Sequence, residues 1–179
     1  LKRICRQNVV IGTERNENDA EHSWHLAAMA VLLSEYSADQ DIDLLKVVKM
    51  VLIHDLVEID AGDTFCYDEK GYEDKEERET KAAERLFNIL PSDQAREIRE
   101  LWDEFEKLET AEARFAACMD RFQPLILNYN TGGHTWKKPG VTSAKVLKRN
   151  GLLEENAPEL WKYMKEVVEN SISKGYLKR

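Results

Sequence analysis

Residues 44–59, LLKVVKMVLIHDLVEI, form the most apolar stretch of the chain and decide its fold. Apolar side chains fall on most sides of a helix drawn through this stretch, and Asp43 stands where it can cap the first turn. A helix that is apolar on most sides needs other elements around it. We therefore predict a central, buried helix from Leu44 to about Ile59.

The segments on both sides of this helix also show helical periodicity. Asn18 or Asp19 can cap the first of them, and Pro91-Ser92 breaks the chain and restarts a helix that reaches about Leu108. The other predicted helices cover residues 19–36, 73–90, 111–129, 142–149 and 158–174. No segment alternates convincingly as a strand, so we predict a single all-α domain of about seven or eight helices.

The charge balance excludes two classes of partner. The chain has 26 Lys and Arg against 34 Asp and Glu, a net charge of −8, whereas nucleic acids and anionic membranes attract a positive surface. The longest apolar run, residues 47–57, is interrupted by Lys49, His54 and Asp55 and cannot span a bilayer. Three widely spaced cysteines and the lack of a signal-peptide pattern predict a reducing, cytoplasmic location.

Side chains that can bind a metal stand on apolar helix faces, where an unpaired polar group is costly to bury. They are His22, His54 with Asp55, and Asp120. His54 and Asp55 are about 100° apart on a helix, and His54 shares a face with Glu58 at i, i+4. Two nitrogens and two oxygens from such residues suit a divalent cation that keeps open positions for water and substrate.

The complete spacing resembles the HD-domain superfamily of metal-dependent phosphohydrolases. It runs through His22, His54-Asp55, Glu58, Gly62-Asp63 and Asp120. The flanking segments resemble the 5′-deoxynucleotidase branch of that superfamily and its relatives; they are Arg6, NDAEHS at 18–23, HDLVEIDAGDT at 54–64 and DRFQP at 120–124. The resemblance implies one HD domain over residues 1–179, with a metal-binding core at about 1–130 and a C-terminal helical extension at about 141–179.

The resemblance also implies roles for seven side chains. The metal ligands are His22, His54, Asp55 and Asp120; Glu58 is the general acid or base, Asp63 is a second active-site carboxylate, and Arg6 lies near the substrate phosphate. The implied reaction hydrolyses a nucleoside 5′-monophosphate to nucleoside and phosphate. The ligand set suits one divalent transition metal, namely manganese, cobalt, iron, zinc or nickel, better than magnesium. Members of the family are often homodimers, and we expect one here.

One residue departs from the family pattern. A deoxynucleotidase of this branch has Trp directly after the matching Arg, where it helps to exclude the ribose 2′-hydroxyl, but Gln7 follows Arg6 here. The preference for deoxyribose is therefore open. His25 competes with His22 as a ligand, and His134 is either part of a lid over the site or an exposed loop residue.

Two other functions stay open beside the monophosphate reaction. The first is hydrolysis of a larger nucleotide, a triphosphate or a guanosine polyphosphate, although Arg6 with Arg3 or Arg15 makes a thin clamp for several phosphates. The second is a non-catalytic, metal-stabilised binding module, which the presence of both Glu58 and Asp63 disfavours. We expect Trp24 and Trp136 to pack in the fold rather than to stack on a base.

Overall fold

Helices make up nearly all of the regular structure in the computed structural model, which describes residues 1–179. The α-helices are α1 Asp19–Leu32, α2 Leu44–Ile53, α3 Glu58–Ala61, α4 Lys75–Phe87, α5 Ser92–Lys107, α6 Ala111–Asn130, α7 Ser143–Asn150, α8 Leu152–Asn156 and α9 Pro158–Ser173. Two 3-10 helices cover Ser34–Tyr36 and His54–Val57, and two strands are β1 Cys5–Val9 and β2 Asn16–Asn18. The all-α prediction is confirmed. Helices α3 and α8 are single turns, and the seven longer helices agree with the predicted number of seven or eight.

The central position predicted for the apolar helix is confirmed. Helix α2 packs against α1, α5 and α6, and α6 in turn contacts α1, α5 and the three C-terminal helices. Leu26, Val47, Met50 and Met119 lie fully buried in the main core where these helices meet. None of the helices combines the length and the apolar character that crossing a bilayer requires.

The start of α1 is set by a reciprocal cap. The side chain of Asn18 accepts from the backbone N–H of Glu21 at 3.0 Å, and the Glu21 carboxylate accepts from the backbone N–H of Asn18 at 3.1 Å. Asp43 caps α2 by accepting from the backbone N–H of Lys46 at 3.1 Å. Both caps agree with the sequence prediction, and the first determines which residues of α1 turn toward the core.

The expectation that no strand forms was wrong. Strands β1 and β2 pair antiparallel, with Cys5 opposite Asn18 and Val9 opposite Asn16 and an irregularity between these two pairs. The strands have only five and three residues, which is too short for an alternating pattern to show in the sequence. This hairpin ends directly at α1 and brings Arg6 to the start of that helix.

The prediction of one continuous helix over residues 44–59 was also wrong. Helix α2 ends at Ile53, a 3-10 helix covers His54–Val57, and α3 begins at Glu58. Side chains three residues apart eclipse each other in a 3-10 helix, so Asp55 and Glu58 share one side. In a continuous α-helix Glu58 would lie beside both His54 and Asp55, because residues three and four apart share a face.

The two tryptophans differ in their surroundings. Trp136 is 2% exposed and belongs to the main core, which agrees with the predicted packing role. Trp24 is 69% exposed, and the same prediction was wrong for it. Trp24 lies on the outer side of α1, because the inner side of that helix is occupied by Leu26 and Ala30.

Gly133 holds the loop after α6 against the C-terminal segment. Its φ is +77°, and a Cβ atom there would stand 2.2 Å from the carbonyl oxygen of Tyr176. Replacing Gly133 with alanine is expected to lower the free energy of unfolding by about 2 to 4 kcal/mol, from the positive φ and the overlap together. Urea unfolding of the purified variant measures this loss.

Gly140 supplies the matched control for that prediction. Its φ is +81°, but an added Cβ would meet nothing within 4 Å. The variant G140A should therefore lose only about 1 kcal/mol, from backbone strain alone. Equal losses for G133A and G140A would contradict a role for the contact with Tyr176.

Candidate metal centre

Three elements bring the four predicted metal ligands together. His22 comes from the first turn of α1, His54 and Asp55 come from the 3-10 helix, and Asp120 comes from the middle of α6. Nε2 of His22 is 3.1 Å from Oδ1 of Asp120, and Nε2 of His54 is 3.0 Å from Oδ1 of Asp55. The remaining distances are 3.8 Å from Nε2 of His22 to Oδ2 of Asp55 and 3.7 Å from Nε2 of His54 to Oδ1 of Asp120.

The hydrogen bonds of the two imidazoles assign their protons. Nδ1 of His54 donates to the carbonyl of Val51 at 3.0 Å, and Nε2 of His54 is buried without a hydrogen-bond partner. Nδ1 of His22 donates to Oε1 of Gln123 at 3.1 Å. Both Nε2 atoms therefore face carboxylate oxygens, and in neutral imidazoles this would set acceptor against acceptor. A proton on Nε2 or a metal cation between the two sets removes this conflict.

Gln123 is a residue of this site that the sequence reasoning quoted but gave no role. It is fully buried, and its Nε2 donates to Oε1 of Glu17 at 2.7 Å and lies 3.1 Å from Nδ1 of His25. These contacts turn the amide oxygen toward His22 and so orient the imidazole, as outer partners of metal-binding histidines do. Its position three residues after Asp120 was the available signal. His25 reaches Gln123 rather than the group that could hold a metal.

The donor set fits a divalent cation. Metal–ligand bonds of about 2.1 Å that meet at a right angle place two donor atoms about 3 Å apart, close to the shorter distances found here. The electrostatics favour positive charge at this position, from a metal or, in its absence, from protons on the histidines. Burial alone lowers the pKa of His54, but the carboxylates of Asp55 and Asp120 outweigh it and raise that pKa well above its usual value. The histidines in turn hold the pKa of Asp120 well below its usual value, against the effect of burial.

Single donor atoms of His22, His54 and Asp120 lie within 4.8 Å of one another and form one group, whereas Asp55 belongs to an adjoining group of carboxylates. Oxygen atoms of Asp19, Asp55 and Glu58 lie within 4.8 Å of one another, and all three residues are buried. Burial and the neighbouring charge of Asp55 raise the pKa of Glu58 to about 10. Burial also raises the pKa of Asp63. Glu58 is therefore a carboxyl group that retains a proton at neutral pH, as a general acid must.

The hairpin places Arg6 among these acids. Its Nη1 is 2.9 Å from Asp55, 3.9 Å from Asp63 and 4.0 Å from Asp19. The charge of Arg6 therefore compensates part of the carboxylate cluster. Its Nε is buried without a hydrogen-bond partner, and the residue lines the adjoining cavity.

These groups open into one cavity of about 280 Å³. The volume is close to the lower end of the range of about 300 to 1,000 Å³ for small-molecule sites. Six of the seven predicted site residues line the cavity, namely Arg6, His54, Asp55, Glu58, Asp63 and Asp120, while His22 is fully buried behind them. The aromatic side chains of Phe65, Tyr67, Tyr72 and Trp136 also line it. His134 is an exposed loop residue that does not line the cavity.

The fold and this centre define an all-α protein with a cluster of two histidines and two aspartates beside one cavity. The profile of the HD domain family matches residues 1–161. The chain belongs to the HD domain family.

Named relatives share the sequence at moderate identity. The 5′-deoxynucleotidase HDDC2 of Homo sapiens is 31% identical over 141 residues, which cover 78% of this chain and 67% of the human protein. The protein of the same name from Xenopus laevis is 28% identical over 177 residues, which cover 88% of this chain and 86% of the frog protein.

A solved structure is similar over the whole chain. The crystal structure of a predicted metal-dependent phosphohydrolase from Magnetospirillum magnetotacticum MS-1 has a TM-score of 0.95 and is 52% identical in sequence. The match covers 100% of this chain and 89% of that one. The predicted fold class and family resemblance are thereby confirmed.

Proposed function

We propose that the protein is a metal-dependent phosphohydrolase that cleaves nucleoside 5′-monophosphates to nucleoside and phosphate. The observation that carries the proposal is the meeting of the Nε2 atoms of two imidazoles with two aspartate carboxylates beside a cavity. Glu58 and Asp63 line the same cavity and supply groups for proton transfer. The names of the human and frog relatives and of the bacterial structure support the same reaction class.

The proposed cation is held by His22, His54, Asp55 and Asp120. When bound, it supplies a Lewis acid that lowers the pKa of a water molecule and offsets the charge on the phosphoryl group. Two imidazole nitrogens suit manganese, cobalt, iron, zinc or nickel, whereas magnesium prefers oxygen ligands.

The protein's own residues bind the substrate and move the protons. Arg6 lines the cavity and donates from its guanidinium group to a phosphate oxygen. Asp63 accepts a proton from the attacking water as its oxygen bonds to phosphorus. Glu58 gives its proton to the 5′-oxygen as the ester bond to phosphorus breaks. Proton return from Asp63 to Glu58 restores the starting state.

Hydrolysis of a larger nucleotide is the second candidate, and one observation favours it. The sequence pointed only to Arg3, Arg6 and Arg15 as cations for the phosphates, but Arg121 and Arg149 also line the cavity. Arg15 is instead paired with Glu21 at 2.8 Å in an exposed position. The cavity therefore has more arginine side chains than the sequence predicted. For this reason the assay includes triphosphates and polyphosphates.

Phosphate release from a panel of nucleotides tests the proposal. The metal-stripped protein is reloaded with manganese, cobalt, zinc or magnesium and assayed on ribo- and deoxyribonucleoside 5′-monophosphates and on triphosphates. We expect metal-dependent release of phosphate from the monophosphates, with manganese or cobalt above magnesium. The ratio of kcat/KM between the two sugars measures the effect of Gln7 in place of Trp.

The panel also separates the alternatives. Release of pyrophosphate or triphosphate, with the monophosphates left intact, would move the function to larger nucleotides. Metal binding without turnover of any phosphate ester would favour a binding module. In both cases the double variant H54A/D55A supplies the background rate.

A further inference from the structure

Two arginines reach the cavity beside Asp120 without a role in the site described so far. Arg149, near the end of α7, places its Nη2 4.0 Å from Oδ2 of Asp120. Arg121, on α6, donates from Nη1 to the backbone carbonyl of Arg149 at 3.3 Å, and no carboxylate oxygen comes within ion-pairing distance of it. Both side chains line the cavity and are partly exposed to it.

The charges of these two arginines are poorly compensated compared with those of the other cations in the cavity. Nη1 of Arg6 faces three carboxylates, with Asp55 at 2.9 Å. Nζ of Lys75 is 2.7 Å from the carboxylate of Glu79. Only the distant contact with Asp120 offsets Arg149. Two guanidinium groups on one wall repel each other, and an anion in the cavity relieves that repulsion.

Asp120 links this pair to the centre. Its Oδ1 faces the two histidines at 3.1 and 3.7 Å, while its Oδ2 faces Arg149. One carboxylate group therefore separates the histidines from the guanidinium. A phosphate in the cavity beside the histidines comes within reach of the planar fork of donors on Arg149, which matches phosphate oxygens in pairs.

We propose that Arg149 binds the phosphoryl oxygens of the substrate and that Arg121 holds Arg149 in place through its backbone carbonyl. This inference rests on the proposed function, because it requires a phosphate ester as substrate. It makes Arg149 a substrate-binding residue beside Asp120 and Arg121 a positioning residue. Arg6 contacts the same phosphate from the side of Asp55.

Binding of inorganic phosphate to the manganese-loaded protein tests the inference by titration calorimetry. R149Q is expected to raise the Kd of phosphate by about tenfold to a hundredfold, because it loses a hydrogen bond between two charged groups. R149K should lie between R149Q and the unchanged protein, because it keeps the charge without the fork. R121Q should weaken phosphate binding by a smaller factor. The Kd of manganese should stay within about twofold in all three variants.

The exposed Lys148 supplies a matched control on the same helix. K148Q removes the same charge next to Arg149 and should leave the Kd of phosphate unchanged. The inference is overturned if R149Q leaves phosphate binding intact, or if phosphate and manganese affinity fall together, which would make Arg149 a support for Asp120. It is equally overturned if R149Q weakens pyrophosphate but not phosphate, because Arg149 would then serve a second phosphate.

Two further features keep the test decisive. If R149Q does not fold, as judged by thermal unfolding, R149K and R121Q carry the same comparison. Phosphate binding also does not depend on which ester is cleaved. Loss of phosphate affinity in R149Q together with no nucleotide turnover would leave the inference standing while the proposed function fails. Unchanged phosphate affinity in R149Q, together with nucleotide turnover by the unchanged protein, would overturn the inference and leave the proposed function standing.

Discussion

Replacing Asp120 with asparagine is expected to abolish metal-dependent phosphate release. The amide keeps the shape of the side chain, but it removes the negative charge that faces both histidines at 3.1 and 3.7 Å. Outer partners of metal ligands contribute about 10- to 100-fold to metal affinity or activity, and a ligand itself should contribute more. We therefore expect kcat/KM to fall by more than about a hundredfold. Manganese titration and the phosphate-release assay measure the two effects separately.

Asp60 provides the matched control for this substitution. It belongs to the same stretch of chain as the ligands, but it pairs with Arg85 outside the cavity. D60N should keep both manganese affinity and turnover. Normal manganese binding in D120N would remove Asp120 from the proposed ligand set, whatever happens to activity.

Replacing Glu58 with glutamine is expected to lower kcat on a nucleoside monophosphate by about 10² to 10⁴-fold, the usual contribution of a general acid or base. Glu58 is 5% exposed, and its raised pKa leaves it protonated and able to donate. Glutamine occupies the same space but cannot release a proton. Because Glu58 is not among the proposed ligands, manganese affinity should change little.

Substrates with different leaving groups distinguish the role of Glu58 from that of Asp63. p-Nitrophenolate leaves without a proton, so E58Q should lose much less activity on p-nitrophenyl phosphate than on a nucleotide. D63N should lose a similar factor on both substrates, because Asp63 acts on the water. The exposed variant E77Q controls for the loss of a charge elsewhere. An equal loss of activity by E58Q on both substrates would assign Glu58 to the water instead.

Local patterns determined much of the fold before any tertiary contact was known. The helical class, the central place of residues 44–59 and the caps at Asn18 and Asp43 depend on spacings of three or four residues, which the sequence displays directly. The family was also recognisable, because the HD motif combines unusual residue types on apolar faces. The helical period gave wrong predictions at two places. They are the short hairpin of β1 and β2 and the 3-10 helix His54–Val57, where the backbone does not have 3.6 residues per turn.

The helices, the family and the side chains proposed for the centre can therefore be predicted from local patterns in the chain. The support and the charge environment of those side chains depend on contacts between distant segments. His22 meets Gln123 across 101 residues of chain, Arg6 meets Asp55 across 49, and Arg121 meets Arg149 across 28. No periodic signal spans such separations. These contacts arise because packing α1, α6 and α7 around one cavity fixes which polar groups must satisfy each other away from water.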